Sequence, residues 1–135
     1  MRNSKKLLDM CKDEKRELYP LTPSQMGVYL SYMHNPKGTM YNIPCTYVFD
    51  KGSLDINKLK DAVRKAVDNH PVMKIFIDSS TGSPMMKPRD SVEFDIPVVQ
   101  VDNLEQAGKD FVKPFDLEKD ILFRFAVFEC GDKSM

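Results

Sequence analysis

Residues 121–130 are the most constraining stretch of this 135-residue chain. Read as a strand, Ile121, Phe123, Phe125 and Val127 point one way, and Leu122, Ala126 and Phe128 point the other. Both faces are apolar. Such a strand belongs at the centre of a sheet that is covered on both sides. Arg124 falls on the second face and needs a partner if it is buried. Residues 131–134 look like a turn into another strand, and there the sequence ends. An end at an open turn past a central strand is expected of a truncated domain. It would leave a sheet edge that invites self-association.

Upstream, helix and strand signals alternate. Residues 1–18 are charged and read as an N-terminal arm or linker, with Leu7, Leu8 and Cys11 as a narrow apolar stripe. A short extended piece at 18–21 leads into a helix. Thr22 can cap it, Pro23 suits the first helical position and Gln25 completes a capping box. Met26, Tyr29, Leu30 and Met33 give it one apolar face. The chain should leave the helix near His34 and Pro36. A strand is expected at 43–49, with Cys45 inside it. Asp55 should cap a second helix reaching Asn69, apolar at Leu59, Ala62, Val63, Ala66 and Val67. Strands at 73–77 and 84–87 should form a hairpin around Gly82, and 92–101 should be extended with a bend at Pro97. Asp102 and Glu105 read as another capping box, opening a helix that stops before Pro114. The order β-α-β-α-β-β-β-α-β predicts an α/β fold, a two-layer sandwich of helices on a mixed β-sheet.

The composition narrows the function classes. Twenty basic residues balance twenty acidic ones, so no footprint for nucleic acid or an anionic membrane is expected. No apolar run approaches the roughly 20 residues of a membrane span, and the N-terminus lacks the apolar core of a signal peptide. Cys11, Cys45 and Cys130 are odd in number and form no CxxC, which suggests neither a disulfide framework nor a zinc site and fits a reducing cytoplasm. No glycine-rich loop joins a strand to a helix, so no nucleotide-binding motif is indicated.

Catalytic candidates are sparse. His34 and His70 both follow helices, and neither has a local nucleophile or orienting group. Cys45 and Cys130 sit on expected strands, where thiols act as small hydrophobes. Asp116, Glu118 and Asp120 cluster in a loop and are expected to be solvated, with no His or Cys nearby to complete a metal site. Met26, Met33, Met40, Met73, Met85 and Met86 read as core packing rather than as an adaptable binding surface.

Several runs, taken in order, resemble the condensation domains of nonribosomal peptide synthetases. That family opens a helix with Ser/Thr-x-Ala/Ser-Gln and an aromatic four residues on. Here the residues are Thr22, Ser24, Gln25 and Tyr29, with Gly27 where the family often has Arg. A Tyr-Asn-Ile-Pro run begins at Tyr41, and Leu54–Asp55 matches the Leu-Asp that opens the family's next helix. The second signature, Arg-His-Glu-x-Leu-Arg-Thr-x-Phe, is matched from Asn69. His70 is kept, Lys74 replaces an Arg, and Asn69 and Pro71 depart. A Pro-Phe-Asp-Leu run starts at Pro114, ahead of the Leu-x-Arg of Leu122 and Arg124.

The resemblance implies the N-terminal lobe of a chloramphenicol-acetyltransferase-like fold, with 19–135 as the N-terminal part of a condensation domain. The family's His-His-x-x-x-Asp-Gly segment is missing and would follow about one strand after Met135. The parent would form amide bonds between carrier-tethered acyl and aminoacyl thioesters. The fragment would carry no catalytic residue and be inactive alone. Lys74, by the resemblance, would pair with the Asp of the missing motif, and with Arg124 would support that motif structurally; Gln25, Tyr29 and His70 are signature positions. No cofactor would bind directly, because phosphopantetheine rides on the carrier proteins. The implied partners are those carriers, adjacent synthetase domains and the missing C-terminal part of the domain. Two alternatives stand beside this reading: a non-catalytic module that docks carriers, and a lobe of a coenzyme A-dependent acyltransferase.

Overall fold

The computed structural model describes residues 18–135. The expected arm at 1–18, with Leu7, Leu8 and Cys11, lies outside the described residues except for Leu18. The elements are β1 (Tyr19–Pro20), α1 (Pro23–His34), β2 (Phe49–Asp50), α2 (Ile56–Asn69), a 3₁₀ turn (Pro71–Lys74), β3 (Ile75–Asp78), β4 (Met85–Pro88), β5 (Val98–Gln100), α3 (Leu104–Phe111), β6 (Val127–Cys130) and β7 (Lys133–Ser134). This is the expected α/β order with β7 added.

Local chemistry sets the helix starts. The Thr22 hydroxyl accepts from the Gln25 N–H at 3.3 Å, and the Gln25 carboxamide oxygen accepts from the Thr22 N–H at 2.9 Å. Two orphan donors of α1 are thereby satisfied reciprocally. Asp55 caps α2 by accepting from the Asn57 and Lys58 N–H groups at 3.0 and 3.1 Å. For α3 the expectation shifts by one residue. Asn103, not Asp102, is the cap, and its side chain accepts from the Gln106 N–H at 2.9 Å. Glu105 therefore sits inside the first turn and pairs with Lys109 four residues on.

The single mixed sheet expected from the sequence is divided in two. One sheet is antiparallel in the order β1-β4-β3; the other runs β2-β7-β6-β5, with only β5 and β6 parallel. The β3–β4 hairpin forms as expected around Gly82, whose φ of +88° requires a residue without a Cβ. Pro71 stops α2 and opens the 3₁₀ turn, in which the Met73 N–H donates to the His70 carbonyl at 2.9 Å. Met73 and Lys74 thus belong to that turn, and β3 starts only at Ile75.

Two expected strands are much shorter than the sequence suggests. Residues 43–48 enter no ladder, and only Phe49 and Asp50 pair, with Ser134 and Lys133. Likewise 121–126 is outside the ladder, while Val127–Cys130 is central, between β5 and β7. Both stretches are rich in β-formers. Cys45 is consequently exposed and off any strand, contrary to expectation.

The buried apolar side chains among the described residues are Tyr29, Val67, Ile77, Ile96 and Val127. Phe94, Phe123 and Phe125 cluster beside Ile96, with Phe94 and Phe123 edge-to-face at 5.0 Å. Phe111 of α3 meets Phe128 of β6 at 5.6 Å, which seats that helix on the sheet. The expected apolar stripe of α1 is only partly used. Tyr29 is buried, but Leu30 and Met33 are 60% and 56% exposed, because no described element lies against that side of the helix. Met40 is exposed as well, so neither it nor Met33 packs in a core as expected.

Candidate functional site

Three elements converge on the loop at 115–120. From α1, the Tyr29 hydroxyl donates to Glu118 Oε1 at 2.9 Å, and the Tyr32 hydroxyl donates to Asp116 Oδ1 at 3.3 Å. From the turn after β3, the Ser79 hydroxyl donates to the same Glu118 oxygen at 2.7 Å. Within the loop, Asp116 Oδ1 accepts the Glu118 N–H at 3.0 Å, and Asp120 Oδ2 accepts the Asp116 N–H at 2.9 Å. These carboxylates were expected to be solvated. Instead they are half-buried and organise the loop, because tyrosines at i and i+3 on α1 reach it together.

The electrostatics follow. Burial pushes the Tyr29 and Tyr32 hydroxyls above the ordinary tyrosine range, and the adjacent Glu118 and Asp116 carboxylates add to this. The Glu118 backbone N–H holds Asp116 below the usual carboxylate range despite its partial burial, and Lys119 contributes. The cluster is made of acceptor carboxylates and neutral hydroxyl donors. It positions chain segments and contains no pair of base and nucleophile.

Arg124 stands at the other end of this loop. Its guanidinium lies 3.8 Å over the Phe115 ring and donates to the Lys113 carbonyl at 2.8 Å and the Pro114 carbonyl at 2.7 Å. Asp120 Oδ2 is 3.9 Å away. A planar fork can reach two successive carbonyls while stacking on a ring; an ammonium cannot. Arg124 also borders an open groove of about 370 Å³ together with Phe94, Phe111, Phe123 and Phe125.

The remaining sequence candidates are dispersed. Gln25 is occupied in the α1 cap and also donates to Met86 Sδ at 3.3 Å. His70 is exposed and ends α2, its N–H donating to the Val67 carbonyl at 3.2 Å. His34 is the exposed last residue of α1. Lys74 closes the 3₁₀ turn, with Nζ 3.4 Å from the Asp90 carbonyl and no ion pair among the described residues. Cys130 donates to the Asp102 carbonyl at 3.4 Å. Among the described residues, no three His, Cys, Asp or Glu side chains gather where a metal could bind. Tyr29 thus joins the loop cluster and Arg124 borders its far end at Asp120 and Phe115, while Gln25, His70 and Lys74 occupy separate places. Sequence reasoning missed Ser79 and Tyr32, and read Glu118 as solvated. The available signal was a pair of tyrosines one turn apart together with an acidic loop distant in sequence.

Comparison with known proteins gives this arrangement its relatives. Bacitracin synthase 3 of Bacillus licheniformis is 32% identical over 124 residues, which cover 90% of this chain and 2% of that protein. Surfactin synthase subunit 2 of Bacillus subtilis is 28% identical over 122 residues, 89% of this chain and 3% of that one. The chain therefore spans only a few per cent of the length of these relatives. Among solved structures, the starter condensation domain of rhizomide synthetase superposes with a TM-score of 0.73 at 18% identity, over 88% of this chain and 31% of that one. A four-domain nonribosomal peptide synthetase bound to AMP and glycine gives 0.74 at 19% identity, over 93% and 10%. These structures establish a shared fold, chloramphenicol-acetyltransferase-like as expected. The sequence profile of the Condensation domain family matches residues 15–135, and with that span the chain belongs to the condensation domain family of nonribosomal peptide synthetases.

Proposed function

We propose that this chain is the N-terminal part of a condensation domain, with 1–18 as a linker and 19–135 as the lobe, and that its parent joins carrier-tethered acyl and aminoacyl thioesters through an amide bond. The family match over residues 15–135 supports this reading. In it, the 135 residues supply scaffold and docking surface, and the reacting imidazole comes from a His-His-x-x-x-Asp-Gly segment outside them. Consistent with that division, the loop cluster is structural and both histidines sit at helix ends. Lys74, whose ammonium meets the Asp90 carbonyl at 3.4 Å, pairs with the Asp of the outside segment. Arg124 holds the 113–115 backbone against the strand leading to that segment. The partners are carrier proteins with phosphopantetheine-borne substrates and neighbouring synthetase domains, in the cytoplasm.

A second reading is favoured by one observation. A solved starter condensation domain of this fold is in complex with C8-CoA. On that reading the parent takes its donor from a coenzyme A thioester and not from a carrier.

The test compares the 135-residue chain with its longer reading frame, using acyl and aminoacyl carrier proteins and, separately, an acyl-CoA donor. The expected result is amide product from the longer protein with carrier donors, and none from the 135 residues. Product from the short chain would overturn the division of labour. Product only with acyl-CoA would favour the second reading.

A further inference from the structure

Arg89 joins two places that lie far apart in the sequence. It directly follows β4, and its backbone N–H donates to the Lys74 carbonyl at 2.9 Å, one step beyond the Ile75–Pro88 pair. The neighbouring Asp90 carbonyl accepts from Lys74 Nζ at 3.4 Å. Residues 89 and 90 therefore hold Lys74 both by its backbone and by its ammonium.

The Arg89 side chain reaches the other way. It is half-buried, and its guanidinium carbon lies 4.7 Å from the centre of the Phe76 ring, within cation–π range. From there one terminal nitrogen donates to the Lys119 carbonyl at 2.7 Å and meets the Asp120 carbonyl at 3.4 Å. These carbonyls close the acidic loop and stand at the root of the 121–130 stretch. Among the described residues no carboxylate pairs with Arg89. Its charge is directed at backbone oxygens, where a charge-assisted bond is roughly twice as strong as a neutral one. Such bonds fix where a chain segment sits.

The start of the loop is held by the same chemistry. There Arg124 stacks on Phe115 and donates to the Lys113 and Pro114 carbonyls. Between the two arginines, the Ile77 N–H donates to the Leu117 carbonyl at 2.9 Å. The loop is thus fastened along its length, and Arg89 is the fastening that runs from its last residues to Lys74.

We propose that Arg89 is a positioning residue for condensation, a role that rests on the condensation reading. It sets the place of the Lys74 ammonium relative to the root of the strand that leads to the outside segment. On that reading the Asp of the segment must meet Lys74. Arg89 governs both sides of this meeting: its backbone holds Lys74, and its guanidinium holds residues 119–120. An error at Arg89 is passed on to the pairing although Arg89 touches no substrate. A displacement of about 1 Å can cost a reaction about 100-fold in rate.

The test is a double-mutant cycle of Arg89→Met and Lys74→Met in the longer protein, with carrier-borne donor and acceptor. Methionine keeps an apolar stem over Phe76 and removes the donor. Each single change should lower kcat about tenfold, with KM for both carriers within about twofold. The double variant should stay within about twofold of Lys74→Met, because Arg89 acts through Lys74. Arg89→Lys should recover most of kcat, since one nitrogen makes both carbonyl contacts. In the 135-residue chain, Arg89→Met should speed hydrogen exchange of the Lys119 and Asp120 amides about fivefold or more and leave α2 amides unchanged. Full activity of Arg89→Met, or losses that multiply in the double variant, would overturn the positioning role. Unchanged exchange at Lys119 and Asp120 would overturn the link itself. Full activity of Lys74→Met would overturn the Lys74 pairing on which the role rests, a failure told apart from the others by faster exchange in Arg89→Met.

Discussion

The Tyr29 hydroxyl and the Glu118 carboxylate meet at 2.9 Å across 89 positions of sequence, and Ser79 donates to the same oxygen at 2.7 Å. This contact fastens α1 and the β3–β4 turn to the 115–120 loop. Removing the donor in Tyr29→Phe keeps the ring packing and leaves a half-buried carboxylate with one partner fewer. The expected cost is about 1.5 kcal/mol, in the range for hydrogen bonds to charged groups. Urea titrations should show a lower midpoint at unchanged slope. Adding Ser79→Ala should cost more than the sum of the single changes, since both act on one oxygen.

Stability should fall at both ends of the pH scale for different reasons. The folded-state value of Asp116 is lowered by the Glu118 N–H, so its contribution is present above the unfolded carboxylate value of about 4 and is lost as pH falls through the lower folded value. Tyr29 is raised by burial, so its contribution is full below about 10 and is lost as pH rises through the higher folded value. Denaturation midpoints measured against pH should therefore show a shallower acid limb in Asp116→Asn and a shallower alkaline limb in Tyr29→Phe. An unchanged acid limb in Asp116→Asn would show that this carboxylate is not linked to folding.

Arg124→Lys should not be conservative. Lysine can keep one of the two carbonyl contacts but loses the fork and the stacking on Phe115. The group is partly exposed, so the expected loss is about 1 kcal/mol for lysine and about 2 kcal/mol for Arg124→Ala. Thermal melts of the two variants would check the order.

The α1 cap gives a local control. Thr22→Ala should cost about 1 kcal/mol. Gln25→Ala removes the reciprocal bond and its contact with Met86, and should cost a similar amount. Circular dichroism melts should show each loss. A larger effect for Thr22→Ser than for Thr22→Ala would contradict the capping geometry.

Helix starts and the hairpin were legible in the sequence because their determinants lie within a few residues. Thr22 with Gln25, Asp55 with the next turn, and Gly82 at positive φ each close locally. Periodicity also placed the 127–130 core of the central strand correctly. At α3 both Asp102 and Asn103 can cap, and it is Asn103 that accepts from the Gln106 N–H. The family signal was readable for the same reason, since it consists of short runs in a fixed order.

Two features were decided by tertiary structure alone. The ladder divides into two sheets, and the acidic loop becomes a half-buried hub. Each depends on a partner far away in the chain: β2 on β7, and Glu118 on Tyr29. Propensity records what a segment favours by itself. A strand exists only when a second backbone lies alongside it, and that is a property of the assembled chain.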